Sequence, residues 1–239
     1  MRLSRRVFSH RQAFLVGSRS HLQTDHDFRS GASVAPVGRT SKRIVDIVLA
    51  LSGIILLAPL LIICFVVTWT SSPGPVIFRH KRIGFNGKTF DCLKFRTMVA
   101  DAPERLYKLL EANAAAATEW SQCQKLRNDP RVTPIGAILR KSSLDELPQL
   151  FNVLIGDMSM VGPRPVTEAE LSRYGASVTA YTACRPGITG LWQVTGRSST
   201  SYETRISCDA YYARMWSLSL DSKIIMVTIP SVLFAENAH

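Results

Sequence analysis

Two adjacent carboxylates, Asp145 and Glu146, carry the strongest chemical signal in the sequence. They follow Ser143 and precede an apolar run, which is typical of a helix N-terminus, where acidic side chains complement the helix dipole. Their surroundings point further, because Arg140 comes just before them and Arg164 follows between two prolines. A carboxylate can attack phosphorus or bind a metal, and guanidinium groups bind phosphate oxygens. A cation such as Mg²⁺ would be needed to bring these carboxylates up to a diphosphate.

Other basic and polar residues are weaker candidates for phosphate contacts. Lys94 and Arg96 would share one face of a strand, which is also what an ordinary solvated strand face looks like. Arg185 opens a loop whose glycines allow close approach of a ligand to the backbone. The sequence has neither a Walker A pattern nor G-x-G-x-x-G, and its five histidines lack metal-ligand spacing.

Charge and cysteine content narrow the class of protein. Lysine and arginine number 29 against 18 acidic residues, for a net charge of +11. Nine of the basic residues and only two acids lie in residues 1–43, next to an apolar segment, which suits an anionic lipid surface. The chain shows neither zinc-finger spacing nor a recognition helix, so we expect no nucleic-acid partner. Five cysteines without a Cys-x-x-Cys indicate reduced thiols in a cytosol-facing protein.

The apolar segment Ile47–Trp69 has 23 residues without a charge. As one helix it would be roughly 35 Å long, enough to cross a bilayer core of about 30 Å. Pro59 interrupts it, and basic residues flank both of its ends, which favours placing both ends on the cytoplasmic side. The pattern alone leaves a crossing helix and a helix that enters and returns equally open.

The rest of the chain predicts a small hairpin and several helices. Two short strands surround the turn Gly84-Phe85-Asn86-Gly87. Helical patterns cover Pro103–Leu126, Ile135–Arg140, Thr167–Tyr174, Tyr202–Trp216 and Leu220–Phe234, and a further helix begins near Ser143.

These segments together resemble one family. The sequence is similar to the bacterial sugar transferases, which are also called monotopic phosphoglycosyl transferases. Within this family it resembles the branch that primes exopolysaccharide synthesis, which is similar to undecaprenyl-phosphate galactose phosphotransferase. The resemblance runs from about Lys42 to Val227 and is carried by KRIVDIVLAL, TSSPGPVIFRHKRIG, KFRTM, DPRVTPIGAILRKSSLDELPQLFNVLIGDMSMVGPRP, RPGITGLWQVTGR and YYARMWSLSLDSKII.

The resemblance implies a fold and a location. It implies an α+β, mostly helical monotopic membrane protein with a re-entrant N-terminal helix, a small β-hairpin and a cytosolic catalytic domain. The division expected here is a basic, disordered extension over 1–40, a re-entrant helix over 41–72 broken at Pro59, and a catalytic domain over 73–239. The catalytic domain would face the cytoplasm on the bacterial inner membrane. Some members have serine before the breaking proline, where this chain has Ala58.

The resemblance also implies a reaction and its residues. The family transfers a sugar 1-phosphate from a UDP-sugar to undecaprenyl phosphate and releases UMP, through a covalent phosphosugar intermediate on an aspartate, here Asp145. Glu146 would hold Mg²⁺, Arg164 would bind the sugar-phosphate region, and Arg140 would face the lipid head group. The remaining residues of the family's nucleotide- and phosphate-side motifs are Lys94, Arg96, Arg185, Gln193 and Arg197.

Two other functions remain as alternatives. A non-catalytic membrane-anchored scaffold would be expected to have lost one of Asp145, Glu146 and Arg164, and all three are present. A UDP-sugar hydrolase would share the first chemical step. The sugar is expected to be a hexose, galactose first and glucose next, and the sequence leaves a homodimer open.

Overall fold

The computed structural model describes residues 35–123, 126–195 and 201–233. The predicted α+β class, mostly helical with small sheets, is confirmed. The described residues belong to two compact units. The first takes them from Met1–Leu56, Arg79–Leu93 and Gln149–His239, and the second consists of Leu57–Phe78 and Lys94–Pro148. The greater part of the predicted extension, and Arg197, lie outside the described residues.

The apolar N-terminal segment forms two helices, α1 (Arg39–Leu56) and α2 (Ala58–Ser71). Pro59 lies in the first turn of α2, where a missing backbone N–H breaks no helical hydrogen bond. Among the described residues no single helix is long and apolar enough to cross a membrane, but α1 and α2, bent by 66° at their break, pass that test of length and composition together.

The predicted hairpin is confirmed. Strands β1 (Ile77–Ile83) and β2 (Thr89–Phe95) pair in a two-stranded sheet, joined by a 3-10 turn over Phe85–Gly87. The alternation along β2 buries Phe90 and Cys92 in a core of the first unit.

The second unit contains α2, α3 (Ala102–Ala112), α4 (Ala114–Cys123) and α5 (Pro134–Lys141). The helical pattern predicted over Pro103–Leu126 corresponds to two helices, α3 and α4. Asn113 adopts an extended backbone between α3 and α4, and its Oδ1 accepts a hydrogen bond from the Ala116 N–H, which starts a new helix. The core of this unit packs Cys64, Val76, Phe95 and Leu139 together.

The first unit contains α1 and the C-terminal helices α6 to α11. Their bounds are α6 (Gln149–Ile155), α7 (Glu168–Leu171), α8 (Val178–Thr182), α9 (Leu191–Thr195), α10 (Tyr202–Met215) and α11 (Leu218–Leu233). Strands β3 (Ser159–Val161) and β4 (Gly187–Thr189) pair in parallel, with Ser159 opposite Gly187 and Val161 opposite Thr189. The largest core cluster lies between this pair and the last two helices, around Tyr212 and Ile224.

Candidate active site

Asp145 and Glu146 lie in a 3-10 turn that follows α5. Thr133 caps α5 by accepting the Gly136 N–H at 2.9 Å, and the helix ends at Lys141. Ser143 then adopts a left-handed conformation with φ of 59°, so the chain changes direction before the 3-10 turn over Leu144–Glu146. The helix predicted to begin near Ser143 is therefore a single 3-10 turn, and the next α-helix, α6, begins at Gln149.

Lys94 reaches both carboxylates from the end of β2. Its Nζ lies 2.7 Å from Oε1 of Glu146 and 4.0 Å from Oδ2 of Asp145. Burial raises the pKa of Asp145 to about 6, because Asp145 is only 8% exposed, while the charge of Lys94 acts in the opposite direction. At pH 7 such a carboxyl is still about nine-tenths ionised. Asp145 is thus a desolvated but charged carboxylate, as a nucleophile requires.

Arg140 is held beside this turn by a hydrogen bond. Its Nε donates to Oγ1 of Thr97 at 2.8 Å. Burial lowers the pKa of Arg140, and the charge of Asp145 opposes that shift. The guanidinium nevertheless stays charged at physiological pH. The second unit therefore brings together four of the predicted site residues: Asp145, Glu146, Lys94 and Arg140.

Arg96 has a different environment. It is buried, and its two terminal nitrogens donate to the backbone carbonyls of Ser72 and Pro73. These bonds fasten the segment after α2 to the end of β2. The Arg96 guanidinium thus donates its hydrogen bonds to backbone carbonyls within the second unit.

Arg164 lies in a loop of the first unit, directly after β3, and backbone hydrogen bonds hold this loop. The Gly162 N–H donates to the Thr189 carbonyl at 2.9 Å, and the Gly187 N–H donates to the Pro163 carbonyl at 2.8 Å. The backbones approach so closely that a Cβ on Gly162 would collide with the Arg185 carbonyl, so glycine is required there.

Arg185 and Gln193 belong to the same unit as Arg164. Arg185 donates from Nε to the Gly156 carbonyl at 2.8 Å, beyond the C-terminal end of α6. Gln193 lies on α9, and its Nε2 donates to the Ile188 carbonyl at 3.2 Å. Both side chains therefore also connect segments within the first unit.

Comparisons with known proteins identify the family. The family model described as bacterial sugar transferase matches residues 37–235. The chain belongs to the bacterial sugar transferase family. The prediction that it is a transferase enzyme is confirmed at that level.

Curated relatives of this sugar transferase carry names from exopolysaccharide synthesis. It is 45% identical over 207 residues to the exopolysaccharide production protein ExoY of Sinorhizobium fredii, covering 87% of this chain and 92% of the relative. It is 46% identical over 201 residues to the undecaprenyl-phosphate galactose phosphotransferase of Salmonella typhimurium, covering 84% of this chain. That alignment spans only 42% of the relative, so the chain matches less than half of that longer protein.

The donor atoms of the site fit a magnesium ion. No group of three His, Cys, Asp or Glu side chains suited to a metal occurs among the described residues. Mg²⁺ is commonly bound by one or two carboxylates together with waters and substrate phosphates, so two adjacent carboxylates are a sufficient protein contribution. Glu146 also pairs with the Lys94 ammonium at 2.7 Å, so a metal ion at this carboxylate would share it with Lys94.

Sequence reasoning missed the buried polar residues of α10 in this sugar transferase. Arg205 and Asp209 are spaced four residues apart and lie on the buried face that also carries Cys208 and Tyr212. The available signal was an opposite-charge pair at i and i+4 on the same side as the apolar residues.

Proposed function

We propose that this protein transfers a hexose 1-phosphate from a UDP-sugar to undecaprenyl phosphate and releases UMP, as the first step of exopolysaccharide repeat-unit assembly. The observation that carries the proposal is the buried Asp145 carboxylate with Glu146 beside it and Lys94 and Arg140 close by. Galactose is the favoured sugar and glucose the next. Relatives named for galactose and for glucose-1-phosphate match at 46% and 42% identity.

The chemistry proceeds in two displacements at one phosphorus. In the first, an Asp145 carboxylate oxygen attacks the phosphorus that bears the sugar, the bond to the bridging oxygen breaks, and UMP leaves. The product is an acyl phosphate that joins Asp145 to the sugar phosphate. In the second, a phosphate oxygen of undecaprenyl phosphate attacks the same phosphorus, and the Asp145 carboxylate leaves unchanged.

Basic side chains offset the charge of these phosphates. Lys94 forms an ion pair with Glu146 and lies 4.0 Å from Asp145. Its ammonium group can therefore bind phosphate oxygens of the donor at this position. Arg140 supplies a fixed positive charge for the acceptor head group. Arg164 binds the sugar-phosphate region, with Arg185, Gln193 and Arg197 on the nucleotide side. Glu146 would hold Mg²⁺, which supplies charge neutralisation of the diphosphate.

The exposed surface of α1 supports a membrane location. Lys42 and Asp46 of this helix are buried against other parts of the first unit, whereas large apolar side chains are exposed. The exposed apolar residues of α1 are Ile44, Val45, Ile47, Val48, Leu51, Ile55 and Leu56. A helix in water normally buries its apolar side chains and exposes its polar ones. The arrangement in α1 is the reverse, and such a surface suits lipid. We propose that residues 41–72 enter the inner membrane and return, with the catalytic residues on the cytoplasmic side.

The test is UMP release from a panel of UDP-sugars with undecaprenyl phosphate in detergent or nanodiscs. We expect UDP-galactose or UDP-glucose to be turned over, and Asp145→Asn to abolish UMP release. Asp101→Asn, at an exposed acid before α3, serves as the control and should stay active. Turnover by Asp145→Asn would reject the nucleophile.

The acceptor distinguishes the alternatives. Without undecaprenyl phosphate we expect at most one UMP per protein and a mass increase of one sugar phosphate on the chain. Continuous UMP release without acceptor would indicate a hydrolase. Absence of UMP release with every UDP-sugar would favour a non-catalytic scaffold.

A further inference from the structure

Arg205 is a buried charged residue whose guanidinium lies against the Arg164 loop. It lies on α10, is only 6% exposed, and belongs to the same unit as Arg164. Burying a guanidinium without partners is costly, so its surroundings must compensate the charge. Its Nε makes no hydrogen bond in the described structure, so the contacts of the group are made by its two Nη atoms and by the aromatic rings beside it.

The contacts of Arg205 join two segments that contain predicted substrate-binding residues. Nη2 lies 3.5 Å from the carbonyl oxygen of Arg164, at the long end of hydrogen-bond distances, and Nη1 lies 3.4 Å from Oε1 of Glu170. The guanidinium carbon lies 5.1 Å from the ring centre of Trp192, the residue before Gln193, and 5.2 Å from that of Tyr202. Such cation–π contacts add attraction without requiring hydrogen bonds.

Asp209 lies one helical turn after Arg205, on the same buried face of α10. Its carboxylate is 2% exposed and accepts a hydrogen bond from the Tyr174 hydroxyl at 2.8 Å. Burial raises the pKa of Asp209, and the positive charges of Arg205 and Arg164 both act against that rise. The Asp209 carboxyl therefore interacts electrostatically with both arginines.

We propose that Arg205 is a positioning residue that holds Arg164 in place for the sugar-phosphate donor. It does so through the contact of its guanidinium with the Arg164 carbonyl. The Trp192 contact ties α9 to the same group. This inference rests on the proposed function, in which Arg164 binds the donor.

Arg82 provides a matched control. It pairs with the other oxygen of Glu170, Oε2, at 2.9 Å, and belongs to the same unit. Loss of either arginine removes one partner of Glu170. In the described structure Arg205, but not Arg82, contacts the Arg164 carbonyl. A difference between variants at these positions thus isolates the contact with the Arg164 loop.

The first measurement is donor kinetics with UMP release as the readout. We expect Arg205→Lys to raise KM for the UDP-sugar by about 10-fold or more while kcat changes much less, since a point charge cannot make the same set of contacts. Arg82→Lys should leave KM within about twofold. Thermal unfolding of each variant reports folding. An unchanged KM in a folded Arg205→Lys protein would overturn the inference, whatever its stability.

The second measurement is a double-mutant cycle with Arg164→Lys. If Arg205 acts through Arg164, Arg205→Lys should raise KM much less in the Arg164→Lys background than in the native protein. If the free-energy effects of the two substitutions simply add, the positioning role is rejected and the proposed function is unaffected. Native kinetics of Arg164→Lys and Arg164→Gln would instead remove Arg164 from the donor site, and the inference with it.

Discussion

At the scale of single residues, Asp145 and Glu146 are neighbours in different environments. The Asp145 side chain is 12% exposed and lies 4.0 Å from Lys94, whereas Glu146 is 26% exposed and bonds Lys94 at 2.7 Å. The more buried carboxylate is less solvated and suits attack on phosphorus. The more exposed one suits a hydrated cation, because Mg²⁺ keeps several of its waters.

Glu146→Gln should weaken both activity and the dependence on Mg²⁺. The amide cannot balance the charge of the cation, so we expect UMP release to fall by at least ~10²-fold. The measurement is the initial rate across a Mg²⁺ titration. Glu104→Gln, at an exposed acid in the first turn of α3, is the control. Native activity of Glu146→Gln at low Mg²⁺ would reject a metal-binding role.

Asp209 should make the stability of the protein depend on pH. Burial raises its folded-state pKa from 3.8 to about 7, although the Tyr174 hydroxyl, Arg205 and Arg164 act in the opposite direction. Between these two values the folded state retains a proton that the unfolded state has lost. The stability from this proton is complete below about pH 4 and is lost as pH rises through 7.

Asp209→Asn removes this titration. We expect the free energy of unfolding of the native protein to fall relative to the variant by about 1.4 kcal/mol per pH unit between roughly pH 5 and 6. Urea denaturation of both proteins at several pH values in that range measures the difference. A difference independent of pH would contradict the raised pKa.

At the scale of elements, α1 packs against the first unit through its polar side chains. Lys42 Nζ binds Asp221 Oδ2 of α11 at 2.7 Å. Asp46, one turn later, accepts hydrogen bonds from Ser159 Oγ at 2.9 Å and from the Met160 N–H at 3.0 Å. Both residues are buried. The placement of α1 therefore depends on these directional bonds together with the buried Ala50, while most of its large apolar side chains stay exposed.

Lys42→Met should be strongly destabilising. It leaves the buried carboxylates of Asp46 and Asp221 without their ammonium partner, which typically costs about 3–5 kcal/mol. Lys81→Met is the matched control, because Lys81 pairs with Asp91 at 2.9 Å but is 72% exposed. Such a surface pair contributes less than about 1 kcal/mol. Equal shifts in chemical denaturation of the two variants would contradict this account.

At the scale of the whole molecule, the re-entrant proposal makes a prediction about topology. Thr40 lies in the first turn of α1 and Pro75 lies beyond the end of α2, and both are exposed. Single cysteines at these positions should both be labelled from the cytoplasmic side, because basic residues flank the segment at each end. The measurement is labelling of intact cells and of inverted membrane vesicles with a membrane-impermeant thiol reagent.

The native cysteines should add little background labelling to that experiment. The structure describes the side chains of four of the five native cysteines, and all four are buried: Cys64, Cys92, Cys184 and Cys208. Replacing the fifth, Cys123, by serine gives a suitable starting protein. Labelling of the two positions from opposite sides would reject re-entry and support a crossing.

Sequence by itself determined the features that depend on local pattern. The alternation around Gly84–Gly87 predicted β1 and β2, and helical periodicity predicted the last two helices to within a few residues. Pro59 predicted a break that the structure has at Leu57, because proline fits the first turn of a new helix better than the interior of a continuous one. Adjacent acids near arginines were sufficient to select Asp145 and Glu146.

Only the tertiary structure decided which distant groups meet and how deeply they are buried. Lys94 and Glu146 are 52 residues apart in sequence, and Arg205 and Arg164 are 41 apart. Strands β3 and β4 have three residues each, too few to show a periodicity. The raised pKa of Asp145 comes from desolvation, which depends on the surrounding fold and not on neighbouring residues in sequence.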